Sequence, residues 1–391
     1  MKKILFVSYG GGHVKSLLPV AEKMQAMNCE VAFFALTTAI NNLRKSDIKH
    51  YTYTDFFDTP EVQEIGKQLA GSIDANILPI HDTSIYLGQN YLDLVSEHGD
   101  KTAKRLYEES GRLIFNPLKS MTRVLLKLQP DLVVSTSSPR SEKAIIYAAG
   151  KLGIKSVVLS DLFVERPLSW FIDTNFSSKI CVPSSFARDV LIENGRPSSD
   201  VVITGNPAFD TLVSASKAQK KSKKLSYRVL WASQPEPEYF AENDTYGDPL
   251  LPSKVESELI KIFDARRDWK LVIRNHPNEV PRQYPEFIES SNNDEKLSDL
   301  LPTIDLVVTC TSIVGFEALI LGKGFITIDK SVLTPMLPFS KYGYSKGIDS
   351  IDSIEDHLID YYSNNKDTNT PYNIENATDN VGNVILDLMM D

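Results

Sequence analysis

Short apolar runs alternate with amphipathic segments along this chain, and the alternation predicts its fold. The runs 3–9 (KILFVSY), 130–138 (PDLVVSTSS) and 155–163 (KSVVLSDLF) begin with continuous apolar and β-branched residues, which is typical of buried parallel strands. Helical patterns follow two of them, at about 15–27 and 141–153. Strands and helices that alternate with short turns predict a parallel, doubly wound α/β sheet.

The same alternation starts again in the second half, from RVLWASQPEPE onward. A polar and basic stretch without apolar periodicity, SASKAQKKSKK at 214–224, separates the two halves and is typical of a domain boundary. The pattern ends in an amphipathic helix that can pack back on the N-terminal domain. We therefore predict an N-terminal Rossmann-like domain, a linker, a C-terminal Rossmann-like domain and a terminal helix, at 1–213, 214–226, 227–372 and 373–391.

Composition limits the classes of function. The 391 residues are 42% hydrophobic and 24% charged, as expected for two soluble domains. The formal net charge of −9 argues against general nucleic-acid binding. No apolar run approaches the roughly 20 residues that span a bilayer, and the apolar N-terminus leads directly into a glycine turn, unlike a signal peptide. We expect a cytoplasmic protein; the basic stretch 214–224 is either a solvated linker or a peripheral contact with the inner face of the plasma membrane.

Polar clusters follow the strands predicted in the second half. The run LVIR ends in a cation and an imidazole, and DLVVT ends in hydroxyl residues that open a helix. Ligands of open α/β sheets bind past the carboxyl ends of strands, and a helix start with hydroxyls favours phosphate. These positions predict a nucleotide site with the candidate residues Ser233, Gln234, Arg274, His276, Pro277, Thr311, Ser312 and Glu317. Simpler alternatives are a salt bridge for Arg274, a structural histidine at 276 and a solvated helix carboxylate at 317.

The first predicted strand ends in a glycine turn, Gly10, Gly11 and Gly12, followed by His13. The glycines permit positive φ and close approach of a ligand to the backbone, but their spacing is not the GxGxxG dinucleotide fingerprint. His13 lies where the fold predicts a ligand, although it could simply hydrogen-bond within the turn. Asp161 also follows a strand, where it either faces the interdomain cleft or caps a helix. His13 and Asp161 are our candidate catalytic residues.

Three motifs resemble the GT-B superfamily of nucleotide-sugar enzymes. GGGH at 10–13 resembles the glycine-rich turn of the peptidoglycan N-acetylglucosaminyltransferase. TGNPAFDTL at 204–212 is similar to a segment of hydrolysing UDP-N-acetylglucosamine 2-epimerases. HP at 276–277 with TSIVGFEALILGK at 311–323 resembles capsule-polysaccharide transferases of the Kdo and sialic acid types. The resemblance implies α/β architecture with two Rossmann-like doubly wound domains that face a cleft.

The resemblance also implies roles for the C-terminal residues. His276 would contact the nucleotide phosphate or ribose, Thr311 and Ser312 the phosphate oxygens, and Glu317 the ribose hydroxyls. A nucleotide-sugar would be the co-substrate, with no other cofactor, and CMP is slightly ahead of UDP. Two departures count against an epimerase: VVLSDLFVER replaces the acidic HxEAG-type segment, and CTSIVGFEAL holds one glutamate where the epimerases have a pair.

We therefore expect a GT-B glycosyltransferase that moves a sugar from a nucleotide-activated donor to a bacterial surface-glycan or glycolipid acceptor. The sequence has no evident DxD-like motif, so we expect metal-independent activity. An epimerase or a glycerophosphotransferase-like enzyme on the same fold is the alternative within this class. A non-catalytic nucleotide-sugar-binding module is the alternative from another class.

Overall fold

The computed structural model describes residues 1–71, 80–218, 227–280, 282–292, 294–364, 372 and 374–390. They belong to two units, the first made of Met1–Asp210 with Ile374–Asp391 and the second of Thr211–Asn373. Each unit is built around a parallel sheet with helices packed on it. The predicted α/β class with two doubly wound domains is confirmed.

The strands and helices of the first unit alternate as its hydrophobic pattern predicts. Its strands are β1 (Lys3–Ser8), β2 (Glu30–Ala35), β3 (Lys49–Tyr51), β4 (Leu132–Thr136), β5 (Lys155–Leu159), β6 (Lys179–Val182) and β7 (Val201–Ile203). The helices up to β7 are α1 (Gly12–Ala26), α2 (Ile40–Leu43), α3 (Thr54–Phe57), α4 (Pro60–Ala70), α5 (Ile80–His98), α6 (Asp100–Ser110), α7 (Leu118–Leu128), α8 (Ser141–Lys151), α9 (Leu168–Phe171) and α10 (Ser185–Glu193).

Helix α11 (Asp210–Ala218) comes next, and the second unit then repeats the alternation. Its strands are β8 (Tyr227–Ala232), β9 (Tyr239–Phe240), β10 (Thr245–Tyr246), β11 (Trp269–Arg274), β12 (Glu289–Ser291), β13 (Leu306–Thr309), β14 (Gly324–Ile328) and β15 (Lys346–Ile348). Its helices are α12 (Leu251–Ala265), α13 (Leu297–Leu300), α14 (Ile313–Ile320) and α15 (Ile354–Asn364), and the chain ends in α16 (Ala377–Met390).

The order of the strands shows where each sheet changes its direction of winding. In the described part of the first unit the order is β3-β2-β1-β4-β5-β6-β7, and in the second it is β12-β11-β8-β13-β14-β15. The chain therefore reverses its direction of winding between β1 and β4, and again between β8 and β13. These are topological switch points, where the loops diverge and open a crevice at the carboxyl ends of the strands.

Both faces of the second sheet are covered, which explains the uninterrupted apolar runs. Trp231 and Ile273 pack under α12 and α15 on one face, whereas Leu230 and Val272 pack under α13 and α14 on the other. Successive strand residues point to opposite faces of the sheet. A strand that is buried on both faces therefore has apolar residues at consecutive positions, instead of alternating apolar and polar residues. In the first sheet, α1 and α16 cover one face together, where Met24 and Ile385 join the same apolar cluster.

The region before β4 is a layer of helices, α4 to α7. Helices α4 and α5 pack backbone to backbone through two glycines. A Cβ atom at Gly66 would lie 1.8 Å from the carbonyl oxygen of Ser84, and one at Gly88 would lie 2.0 Å from that of Val62. Small side chains at both crossings therefore set the distance between the helices.

The boundary between the units differs from the predicted linker. Helix α11 runs through residues 214–218, because alanine and lysine favour a helix once Leu212 anchors it on the core of the second unit. Residues 219–226 lie outside the described part of the chain. The division falls at Asp210, whose carboxylate accepts the N–H groups of Ala377 and Thr378 at the start of α16, each at 2.9 Å. This cap fastens α16 to the first unit.

Candidate functional site

The glycine turn lies at the switch point of the first sheet, directly after β1. Gly10 must be a glycine, since a Cβ atom there would lie 1.9 Å from Oγ1 of Thr38. Gly11 has a φ of 70°, which also favours glycine. Helix α1 begins at Gly12, three residues before the predicted start at Lys15. His13 is therefore in the first helical turn, at the edge where β1 and β4 diverge.

A chain of hydrogen bonds leads from His13 into the core. Nδ1 of His13 lies 2.6 Å from Oγ1 of Thr136, the last residue of β4. The Thr136 hydroxyl lies 2.5 Å from Oε2 of Glu142, in the first turn of α8. The Glu142 side chain is fully buried, so its carboxyl group lies beneath a half-buried imidazole with one hydroxyl between them.

The donors around Glu142 determine the direction of this chain. Its Oε1 accepts the backbone N–H of Tyr9 at 2.7 Å, and its Oε2 accepts the backbone N–H of Thr136 at 3.0 Å as well as the hydroxyl. An ionised carboxylate accepts hydrogen bonds at both oxygens, and Glu142 has donors at both. Because the Thr136 hydroxyl has one proton and gives it to Glu142, it accepts Nδ1–H of His13. Nε2 of His13 then carries the free lone pair and is a base.

The groups around Glu142 shift its pKa in opposite directions. Burial raises the pKa of Glu142 above its ordinary value, and a positive charge on His13 is the largest influence that lowers it, followed by the Thr136 hydroxyl. The charge of Asp161 raises it slightly. A positive charge on the imidazole therefore favours the charged form of the carboxylate.

Asp161 lies two residues after β5, and its side chain is exposed. Its Oδ2 accepts the hydroxyl of Ser137 at 3.1 Å, in the turn that follows β4. The next helix, α9, begins only at Leu168, so Asp161 is not the helix cap that the sequence left open. The structure thus places both predicted catalytic residues at the carboxyl edge of the first sheet.

The switch point of the second sheet holds the hydroxyl cluster. The Thr309 hydroxyl donates to the carbonyl oxygen of Ala232 at 2.8 Å and joins the ends of β13 and β8. Ser312 caps α14, since its Oγ accepts the N–H of Val314 at 3.4 Å. Thr311 is 4% exposed, and its Oγ1 has no hydrogen-bond partner among the described residues. A buried hydroxyl at a helix start can hydrogen-bond to a polar ligand atom.

His276 lies in a turn after β11 that Glu279 holds together. Oε2 of Glu279 accepts the backbone N–H of His276 at 2.8 Å, and its Oε1 accepts the hydroxyl of Ser233 at 2.9 Å. Nδ1 of His276 accepts the N–H of Asn278 at 3.1 Å. In the neutral ring the proton is therefore on Nε2, and His276 presents a donor.

The other predicted nucleotide residues lie at the same edge with mixed roles. The Arg274 guanidinium donates to the hydroxyl of Ser291 on β12 at 2.8 Å, so it supports the neighbouring strand. Gln234 is half-buried after β8, Pro277 is exposed, and Glu317 is half-buried in α14.

Sequence reasoning missed Glu142 and Glu279. Glu142 stands in the first turn of α8, where an acidic residue is commonly explained by the helix dipole. Glu279 follows His276 by three residues in a polar turn, a spacing that could have indicated a hydrogen bond back to the turn. In the described ranges, no group of three or more His, Cys, Asp or Glu side chains is arranged to hold a metal ion. No described helix is long and apolar enough to cross a membrane.

Comparison of the fold with solved structures gives similar chains over nearly the whole length. S. aureus MnaA, in a co-structure with UDP, is 14% identical with a TM-score of 0.60, over 100% of this chain and 98% of that one. The UDP-GlcNAc 2-epimerase of Neisseria meningitidis, bound to UDP-GlcNAc, is 16% identical with a TM-score of 0.61, over 98% and 100%.

MurG of Acinetobacter baumannii is 15% identical with a TM-score of 0.55, over 99% of this chain and 100% of that one. No protein-family model matches the sequence, and no curated protein matches it either. The likeness is therefore one of fold, and it confirms the resemblance that the motifs indicated: the chain has the GT-B fold.

Proposed function

We propose that this protein is a glycosyltransferase that moves a sugar from a nucleotide-activated donor to a hydroxyl group of a bacterial surface-glycan or glycolipid acceptor. The observation that carries the proposal is the hydrogen-bonded chain His13–Thr136–Glu142 at the switch point of the first sheet. Sugar transfer needs a base that removes the acceptor proton. Nε2 of His13 offers the lone pair, and the buried carboxylate stabilises the imidazolium that forms.

The bonds that change define what each unit must supply. The acceptor oxygen bonds to the anomeric carbon while the bond from that carbon to the donor phosphate oxygen breaks. The electron pair leaves with the nucleotide phosphate, and the acceptor proton goes to Nε2 of His13. The leaving phosphate gains negative charge, so it needs preorganised donors.

The second unit offers such donors. Nε2–H of His276, the unpartnered hydroxyl of Thr311 and the N-terminus of α14 all lie at the carboxyl edge of its sheet. A phosphate there would receive hydrogen bonds and the favourable end of the helix dipole. Glu317, farther along the same helix, is our candidate for the ribose hydroxyls.

The identity of the nucleotide is part of the proposal. The sequence motifs place CMP slightly ahead of UDP, whereas the names of similar structures mention UDP and UDP-GlcNAc. We therefore test both in a thermal-shift panel with UDP, CMP, CDP and GDP, because a bound nucleotide raises the unfolding temperature by mass action. The nucleotide that raises it at the lowest concentration identifies the donor class.

The decisive experiment compares Thr136→Val with Thr136→Ser. Valine keeps the shape of threonine but breaks the link between His13 and Glu142, whereas serine keeps the hydroxyl. We expect transfer by the valine variant to fall by about tenfold or more, since a hydrogen bond to a charged group is lost, and the serine variant to stay within about threefold of the wild type. Equal activity of both variants would contradict the role of the chain.

The fold also fits a second candidate, a hydrolysing UDP-N-acetylglucosamine 2-epimerase, because similar structures carry that name. Incubation with UDP-N-acetylglucosamine in the absence of acceptor separates the two. Release of N-acetylmannosamine would establish the epimerase. A separate incubation with a nucleotide-activated glycerol donor and a hydroxyl acceptor tests the glycerophosphotransferase alternative, which predicts transfer of glycerol phosphate to the acceptor and release of the nucleoside monophosphate. Binding without turnover of any donor would indicate a binding module.

Two further properties belong to this proposal. We expect metal-independent transfer, so EDTA should leave the rate unchanged in a reconstituted assay. A glycolipid acceptor implies peripheral contact of a cytoplasmic protein with the inner face of the plasma membrane. Co-sedimentation with vesicles of anionic lipid tests that contact, and it should weaken as salt is added.

A further inference from the structure

The turn between β4 and α8 holds Arg140 in a conformation that glycine normally adopts. Its φ is 67° and its ψ is −119°, in the position that precedes the first residue of α8. Side chains with a Cβ atom are strained there. The strain is localised at the carboxyl edge of the first sheet, four residues after Thr136.

The charge of Arg140 is left without an anionic partner. Its guanidinium lies over the ring of Tyr9, 5.0 Å from the centroid, and its buried Nε has no hydrogen-bond partner in the described part of the chain. No described carboxylate forms a salt bridge with it. Burial raises the pKa of Tyr9 well above its ordinary value, so the phenol below is neutral. A half-buried guanidinium normally has an acceptor for its donors.

Arg140 is also connected to the proposed base. The ring of Tyr9 supports the guanidinium, and the backbone N–H of Tyr9 donates to Oε1 of Glu142. Glu142 holds Thr136, which holds His13. A cation whose buried Nε–H has no hydrogen-bond partner in the described part of the chain therefore belongs to the same cluster as His13, the proposed base.

We propose that Arg140 binds an oxyanion of the acceptor, either a carboxylate of an acidic sugar or a phosphate of a lipid-linked sugar. The assignment of the ligand to the acceptor rests on the proposed function, because it uses the position of His13. The fork of a guanidinium matches either oxyanion with two parallel hydrogen bonds. Binding supplies a hydrogen-bond acceptor for the buried Nε–H, and it fixes the acceptor substrate relative to Nε2 of His13.

The first test measures oxyanion binding without any transfer reaction. Glucuronate, and inorganic phosphate with an excess of the nucleotide chosen by thermal shift, are titrated by calorimetry into the wild type, Arg140→Gln and Arg140→Lys, with Arg188→Gln as the control. The nucleotide occupies the phosphate donors proposed for the second unit, so the phosphate titration reports on Arg140. Arg188 is a half-buried arginine on α10, the helix that follows β6. We expect Arg140→Gln to lose at least about tenfold in affinity, Arg140→Lys to lose less, and Arg188→Gln to bind as the wild type does. Equal binding by the wild type and Arg140→Gln overturns the proposal.

The second test separates binding from a purely structural role. Arg140→Gly relieves the backbone strain, so its unfolding temperature should equal or exceed that of the wild type while oxyanion binding is lost. A lower unfolding temperature with unchanged binding means that Arg140 only stabilises the turn.

The third test identifies the source of the oxyanion and checks the dependence on the proposed function. KM for a uronic acid-containing oligosaccharide and for a polyprenyl-diphosphate sugar is compared between the wild type and Arg140→Gln, with donor KM as the reference. We expect acceptor KM to rise by about tenfold for one of the two and donor KM to stay constant. Binding that depends on Arg140 in a protein that transfers no sugar would refute the glycosyltransferase and leave the oxyanion site standing. Transfer with unchanged acceptor KM in Arg140→Gln would refute the site alone.

Discussion

The two sheet edges each present a histidine, but their hydrogen bonds give the two rings opposite capacities. At the first edge a side-chain hydroxyl accepts Nδ1–H of His13, because that hydroxyl has already given its proton to Glu142. At the second edge a backbone N–H donates to Nδ1 of His276. The first ring therefore offers a lone pair on Nε2 and the second offers an N–H. One residue type therefore presents a hydrogen-bond acceptor in one unit and a hydrogen-bond donor in the other.

The largest expected effect concerns the base. His13→Ala should lower the transfer rate by about 10²–10⁴-fold, the usual contribution of a general base. Nucleotide affinity should stay within about twofold of the wild type, since the proposed phosphate donors belong to the other unit. A turnover assay and calorimetric titration measure the two quantities on the same preparation. Loss of nucleotide affinity in this variant would show that the two edges have been assigned to the wrong substrates.

The reciprocal prediction concerns the histidine of the second unit. His276→Ala should weaken nucleotide binding by about 1–3 kcal/mol, the cost of a lost hydrogen bond to a charged group. His276→Gln is the matched variant, because its amide can donate near the position of Nε2–H, and it should recover part of the affinity. Calorimetry with the nucleotide chosen by thermal shift measures both. Unchanged affinity in His276→Ala would remove this residue from the site.

The third prediction tests the buried charge through pH. The folded pKa of Glu142 is raised above its ordinary value of 4.5, so the folded state holds this proton more tightly than the unfolded state. The contribution to stability is complete below pH 4.5 and is lost as the pH rises through the folded pKa, by at most about 1.4 kcal/mol for each pH unit.

Glu142→Gln cannot titrate, so its stability should lack this decline. It should be less stable overall, because its amide N–H₂ meets the donors of Thr136. Urea unfolding of both proteins from pH 4.5 to 8 measures the difference between their slopes. Parallel slopes would mean that Glu142 titrates alike in the folded and unfolded states.

The smallest expected effect is at Thr311. Thr311→Val replaces a buried hydroxyl that has no partner among the described residues by a methyl group of the same shape. The free energy of unfolding should therefore rise by about 1 kcal/mol when no ligand is bound. Nucleotide affinity should fall, since we propose that the Thr311 hydroxyl donates a hydrogen bond to a phosphate oxygen. Thr309→Val is the contrasting variant: its hydroxyl is bonded to Ala232, and its removal should destabilise the protein. Destabilisation by both would mean that the Thr311 hydroxyl already has a partner.

The structure also shows what two residues of the TGNPAFDTL motif contact. In TGNPAFDTL, Asn206 accepts the hydroxyl of Ser16 on α1 at 2.9 Å, and Asp210 caps α16. These contacts fasten the start and the end of the chain to one segment. The segment therefore has a structural function in this protein, whatever further part it takes in substrate binding.

The hydrophobic pattern of the sequence was enough to predict the α/β class, the buried apolar strands and the strand ends at which polar residues gather, but not the short strands β9, β10, β12 and β15. The apolar runs LVIR and DLVVT became β11 and β13, and the glycine turn follows β1 as predicted. This succeeded because the burial of a parallel strand on both faces is a local requirement that shows directly in consecutive residues. Helix boundaries were less well determined: α1 begins at Gly12, and α11 extends into the predicted linker.

Only the folded chain shows which polar residues are in contact. His13 and Thr136 are 123 positions apart, and they touch because β1 and β4 are neighbours at the switch point. The same adjacency brings Glu142 under Tyr9 and thereby sets the direction of the hydrogen bonds that make His13 a base. Periodicity reports which face of an element is buried, but it carries no information about the partner across the sheet. The proton positions on the two histidines therefore depend on strand order, which only the folded chain establishes.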